Sequence, residues 1–165
     1  MAGKTGEAAL QEKLEQIKLD YFVLVEKIKT ENVKAAADLE KKLEASLARL
    51  KSGFELCAVK AEFEAEGSSF RDLVNLRRWT TRQNIALYLK IGGVEALRDI
   101  KDALALGVDG VIAPMVESPF AVTKFVEAVQ AVYKNHPLFC AINIETHIAI
   151  ENIDAILENA RGKID

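Results

Sequence analysis

The sequence predicts an α/β chain: a partial (β/α) barrel domain of about four parallel strands, preceded by a long N-terminal helix or helical hairpin. Three observations predict it. From Glu7 to Lys51 there is no Gly or Pro, and Ala, Leu, Glu and Lys dominate, all strong helix formers. Near residue 55 the apolar period changes from helical to two. From there on, short apolar runs with charge at their C-terminal ends alternate with helical patterns, as in a parallel sheet with right-handed crossovers.

The helical segment, residues 1–51, carries two apolar stripes. Leu10, Leu14, Ile17, Tyr21, Leu24 and Ile28 are spaced 4, 3, 4, 3 and 4 apart, an a/d seam. Continuing that phase lands on Glu31, Ala35, Asp38 and Lys42, so the seam breaks near Thr30-Glu31-Asn32. A second stripe follows through Ala36, Leu39, Leu43, Leu47 and Leu50. Two helices, one shifted helix, an antiparallel hairpin, a dimerising coiled coil and a plain amphipathic cover all fit this pattern. Gly53 is expected to end the region as a C-cap residue.

Residues 52–165 form the second expected domain. The first strand, 55–65, places Cys57, Val59, Ala61 and Phe63 on one face, with Lys60, Glu62 and Glu64 on the other. Ser68 or Ser69 caps a helix from Phe70 to Trp79. The second strand, 85–91, alternates Ile85, Leu87, Leu89 and Ile91 with Ala86, Tyr88 and Lys90; Gly92-Gly93 turns into a helix that Gly107 stops. The third, 109–116, puts Val111, Ala113, Met115 and then Glu117 on one face. Ser118-Pro119 opens the next helix with Ser as N-cap and Pro at the first helical position. The fourth, 138–145, sets Cys140, Ile142 and Ile144 against Ala141, Asn143 and Glu145, and Asn152 caps a last helix. A fifth strand would begin at Ile164-Asp165.

The faces decide between an open doubly wound sheet and a TIM-barrel-like arrangement. An open sheet buries both faces and reads as continuous apolar runs. Here one face is apolar and the other turns polar late, as at a barrel mouth. A whole barrel takes ~250 residues, and residues 52–165 are fewer than half of that, so a truncated barrel is expected.

Composition narrows the function. A net charge of −3 makes no electrostatic case for nucleic acid. No apolar run approaches the ~18 residues of a membrane span, and the first ten residues hold no apolar leader core, so a cytoplasmic protein is expected. Cys57 and Cys140 read as buried thiols.

The strand ends carry the candidate chemistry. Asn143 and Glu145 in an apolar run are costly unless paired. Acidic oxygens at one mouth suit a hard cation such as Mg²⁺ or Mn²⁺, which holds a 2-keto acid and stabilises an enolate. Lys90 would pair with a substrate carboxylate. Carboxylates at strand ends also form plain salt bridges, and that reading stands beside the catalytic one for Glu62 and Glu64. Two other functions stay open: a Schiff-base aldolase with Lys90 as nucleophile, and a non-catalytic assembly or scaffold protein acting through the N-terminal helices. His147 is a lesser candidate at the mouth, and His136 reads as a turn residue.

Ala113-Pro114-Met115-Val116-Glu117-Ser118, Ile142-Asn143-Ile144-Glu145-Thr146 and the following Ala149, Asn152, Asp154, Ile156 and Leu157 resemble the HpcH/HpaI aldolase and citrate lyase beta-subunit family over roughly residues 55–165. The resemblance implies a (β/α) barrel of the phosphoenolpyruvate/pyruvate superfamily. It implies a Mg²⁺- or Mn²⁺-dependent carbon–carbon lyase acting on a 2-keto acid or acyl-CoA thioester. By it, Glu145 matches the metal-ligating Glu of an Ile-Glu-Thr motif, Glu117 assists at the metal, Asn143 sits near substrate, and Lys90 stands where an Arg is usual. The family's second metal ligand, an Asp on the next strand, would lie beyond Asp165. Glu62 or Glu64 would serve as acid or base. Partners follow: a small keto acid or CoA thioester, no nucleic acid, no membrane, and self-association left open.

Overall fold

Alternating faces need a one-sided cover, and the topology supplies it. The structure, a computed structural model, describes residues 3–63, 66–134 and 136–165. The chain divides into two compact units, Met1–Ser46 and Leu47–Asp165.

The described residues of the first unit are helical throughout. Helix α1 runs from Gly3 to Phe54 without a break, and so continues into the second unit. The hairpin is not formed. At Thr30, where the seam changes phase, the hydroxyl donates to Glu26 O (2.8 Å) and the helix continues. Ile17, Tyr21, Leu24 and Ile28 are exposed.

The second unit holds β1 (Ala58–Glu62), α2 (Phe70–Arg82), β2 (Ala86–Lys90), α3 (Leu97–Leu106), β3 (Gly110–Ala113), α4 (Pro119–Tyr133), β4 (Phe139–Ile142), α5 (His147–Glu151) and α6 (Ile153–Ala160). The strands are parallel, in the order β1-β2-β3-β4. Each joins its sequence neighbour, so right-handed crossovers put α2, α3 and α4 on one side. Accordingly α2 packs on α3, α3 on α4 and α4 on α6. Under this layer lie Leu87, Leu89, Val111, Ala113, Ile100, Val122, Phe125 and Ile156, all fully buried. Each such large side chain is worth about 1.5–3 kcal/mol of transfer free energy.

The opposite sheet face is only half-covered. There Tyr88 stacks on Phe139, ring centroids 4.7 Å apart and planes 11° from parallel. Gly110 lies between them in the register. A Cβ at Gly110 would come within 2.9 Å of both Tyr88 Cδ1 and Phe139 O. Asp165 meets the free edge of β4: its N–H donates to Cys140 O (3.0 Å), and its Oδ2 accepts from Cys140 N (2.9 Å).

Local signals act as the sequence predicts at several helix ends. Ser69 and Asp72 form a reciprocal capping box, Ser118 accepts from Ala121 N, and Gly107 takes the left-handed C-cap conformation at φ 65°. Lys51 Nζ donates to Gln83 O and Asn84 O, both at 2.6 Å, placing a cation at the C-terminal end of α2.

Other expectations are corrected. Gly53 lies inside α1; the left-handed position falls to Glu55, at φ 54°. All four strands are shorter than their apolar runs, because residues past the paired core turn toward the next helix. Cys57 precedes β1 and is exposed, and Cys140 is half-buried. The Asn152 side chain makes no cap bond to α6. A short helix not foreseen, α5, is capped by Thr146, which accepts from Ala149 N.

Candidate active site

All the candidate groups follow from strand ends. In a parallel sheet every strand delivers its C-terminal residues to the same edge, where the βα loops and helix N-termini gather. Two charged assemblies stand on that edge.

The first joins β1 to β2. Glu62 and Lys90 are direct register partners, so their side chains leave the same face side by side. Lys90 Nζ lies 3.2 Å from Glu62 Oε2. Lys60, two residues before Glu62 and on the same face, donates to that oxygen at 3.1 Å and lies 3.6 Å from Glu66 Oε1. Glu62 is 7% exposed. Its carboxyl is held below the ordinary range, first by the Lys60 hydrogen bond and then by Lys90, against the opposing effect of burial. The Lys60 ammonium is held above its ordinary value chiefly by the same bond. Glu62 is therefore an ionised clamp between two ammonium groups, poorly suited to carry a proton as an acid.

The second joins β3 to β4. Glu145 Oε1 accepts from Met115 N (2.9 Å), and Glu145 Oε2 is 3.4 Å from Asn143 Nδ2. Main-chain pairing continues past the strands, with Asn143 N donating to Ala113 O (2.9 Å) and Val116 N to Asn143 O (3.2 Å). Glu145 is exposed and lies beyond β4, so it is not a carboxylate buried in a strand. Its contact with Asn143 is therefore an exposed hydrogen bond rather than compensation for a buried charge.

Glu117 does not follow strand parity. β3 ends at Ala113, and Met115 adopts φ 46° with its side chain exposed. That left-handed residue breaks the alternation that put Met115 and Glu117 in line with Val111 and Ala113. The Glu117 side chain is half-buried, and its carbonyl accepts from Asn152 Nδ2 at 3.2 Å. Asn152 thus ties the loop after β3 to the start of α6, a role no sequence pattern signals. Glu64 lies outside the described residues. His147 is exposed at the start of α5; His136 is exposed in a turn, its N–H donating to Tyr133 O.

Lys90 is thus brought to Glu62, and Asn143 to Glu145. Among the described residues no hydrogen bond or ion pair joins the two assemblies. Glu66 and the Met115 amide escape sequence reasoning, since one lies across a loop and the other is backbone. The described residues also gather no group of three or more His, Cys, Asp or Glu that could hold a metal ion. Both Glu145 oxygens already meet N–H donors. These residues therefore do not make a complete cation site. What the edge offers directly is two ammonium groups held by Glu62 and, apart from them, the hydrogen-bonded carboxylate of Glu145. Among the described residues, no helix is long and apolar enough to cross a membrane.

Comparison with known proteins agrees with this architecture. A sequence model of the HpcH/HpaI aldolase/citrate lyase family matches residues 78–165, more than half of the chain. No curated protein sequence matches it. Among solved structures, the chain is similar to an HpcH/HpaI aldolase/citrate lyase family protein from Burkholderia cenocepacia J2315 (TM-score 0.59, 13% identity, 74% of this chain and 58% of that one). It is similar to an HpcH/HpaI aldolase from Desulfitobacterium hafniense DCB-2 (TM-score 0.57, 20% identity, 72% and 54%). It is also similar to the citrate synthase SbnG (TM-score 0.57, 21% identity, 76% and 54%). The chain spans little more than half the length of these structures. At such identities the likeness is one of fold, that of TIM-barrel-like aldolases.

Proposed function

The chain belongs to the HpcH/HpaI aldolase/citrate lyase family, and from that membership we propose that it is a carbon–carbon lyase of aldolase type, acting on a 2-keto acid or acyl-CoA thioester. The observation that carries this reading is the pairing of Lys90 with Glu62 on the strand-end edge that also presents Glu145. Lys90 and Lys60 attract a substrate carboxylate. Glu62 is a positioning residue that holds both ammonium groups in place. Asn143 orients the substrate beside Glu145.

The ion pair bears on the Schiff-base alternative. A nucleophilic lysine needs a free nitrogen aimed at the substrate carbonyl, whereas Lys90 Nζ is held by the Glu62 carboxylate at 3.2 Å. The carboxylate-binding role for Lys90 fits this contact better.

Mg²⁺ or Mn²⁺ is the cofactor proposed with this activity, with Glu145 as first ligand and Glu117 beside it. The described residues fall short of a complete ligand set for such an ion.

The test is turnover by the purified chain. A panel of 4-hydroxy-2-keto acids and acyl-CoA thioesters is supplied with Mg²⁺ or Mn²⁺, and release of the smaller carbonyl product is followed. Cleavage that Lys90→Ala weakens and Glu145→Gln eliminates is expected, and abolition by EDTA would show that further ligands complete an ion site around Glu145. No turnover by a folded chain across the panel would overturn the reading. A borohydride-trapped adduct on Lys90 would replace it with the Schiff-base mechanism.

A further inference from the structure

We propose that two copies of this chain pair antiparallel through residues Ile17–Ile28 of α1. Ile17, Tyr21, Leu24 and Ile28 are 64%, 69%, 54% and 47% exposed. Their spacing of 4, 3 and 4 is that of a seam that faces another helix, with Tyr21 and Ile28 at a and Ile17 and Leu24 at d. Leu19, Phe22 and Val23, off the seam, are exposed as well, so the seam lies within a broader apolar surface, the mark of an association surface.

The charges beside the seam choose the partner and its direction. Lys13, Asp20 and Lys27 fall at g positions, and Lys18 and Val25 at e. A parallel pair sets each g residue against the next e residue of the other helix. Lys13 would then face Lys18, and Asp20 would face Val25, with no attraction gained. An antiparallel pair sets g against g. With Tyr21 opposite Leu24 and Ile17 opposite Ile28, Asp20 of each copy lies opposite Lys27 of the other.

Neighbouring registers are worse. A shift of one heptad toward the N-terminus puts Asp20 against Asp20 and Lys13 against Lys27. A shift of two heptads pairs Lys13 with Asp20 but leaves Leu24 and Ile28 uncovered. The favoured register has its two-fold axis midway between positions 22 and 23, at the centre of the Ile17–Ile28 seam. The same patch serves both copies, as a closed two-fold contact requires.

The test is sedimentation equilibrium on the full chain under reducing conditions, with far-ultraviolet circular dichroism on every variant. A particle of twice the 18.2 kDa chain mass is expected at micromolar concentration. Asp20→Lys and Lys27→Asp, both on the solvent-facing flank, should each weaken pairing by about tenfold, because two attractive pairs become repulsive. The double variant D20K/K27D should restore wild-type affinity. A single-chain mass at all concentrations would overturn the proposal. A larger assembly, or pairing indifferent to the charges at residues 20 and 27, would equally overturn this register.

Discussion

Glu62 and Lys90 are register partners on neighbouring strands, and their charges meet at 3.2 Å on the sheet's C-terminal edge. The Glu62 carboxyl is depressed, mainly by the Lys60 hydrogen bond. A depressed carboxyl contributes stability above its ordinary value of 4.5 and loses that contribution as pH falls through the lower folded value. Glu62→Gln should therefore lower the melting temperature at neutral pH. The gap from wild type should close as the medium becomes acidic below the ordinary carboxyl range. Parallel melting curves across pH check this; a gap that persists in acid would mean that Glu62 acts through packing.

Lys90 is expected to act on substrate binding. Lys90→Ala should raise KM about 10- to 100-fold with a smaller change in kcat, since it removes a charge that meets a non-reacting carboxylate. Lys90→Arg should keep the charge and add a bidentate fork, restoring KM to the wild-type range or below. Steady-state kinetics on the three proteins separates this role from a nucleophilic one, in which Arg would be as inactive as Ala.

Glu145 holds the Met115 amide where Met115 is left-handed. Glu145→Gln keeps an acceptor oxygen and should leave stability within about 0.5 kcal/mol of wild type. Glu145→Ala loses the acceptor and should cost about 1 kcal/mol. Met115→Gly, which removes the left-handed penalty from an exposed residue, should stabilise the loop by up to about 1 kcal/mol. Urea unfolding distinguishes the three.

Gly110 is required by a close approach rather than by its φ angle. Gly110→Ala would push a methyl against Phe139 O and into the Tyr88 ring, and part of the conflict is with backbone that cannot rotate away. A loss of about 1–3 kcal/mol is expected from overpacking of this kind. Retention of wild-type stability would show that the Tyr88–Phe139 stack yields freely.

The two thiols should separate by reactivity. Burial, then the charge of Asp165, pushes the Cys140 thiol up to about 11, whereas Cys57 is exposed. At a working pH of about 8, only ~0.1% of Cys140 would be thiolate. Iodoacetamide should modify Cys57 well before Cys140, as peptide mass mapping over time would show.

Much of this architecture is readable in the residues. The change of apolar period near residue 55, Ser69 with Asp72, Ser118-Pro119 and Gly107 are local devices whose effect depends on a few adjacent residues. Together they determine the order of strands and helices and the delivery of Lys90, Asn143 and Glu145 to one edge of a parallel sheet. Where each strand stops is not local. Parity carries a side chain's direction only while the strand persists, and β3 ends at Ala113 although Asn143 and Val116 carry main-chain pairing beyond it. Met115 then turns left-handed, and Glu117 leaves the line that alternation drew for it. The burial of Glu62 between two ammonium groups and the Met115 amide on Glu145 are likewise set by neighbouring chain segments. The sequence by itself determined which chemistry reaches the edge. Only the tertiary structure decided which groups meet there, because contact depends on the register of separate strands and on where their pairing ends.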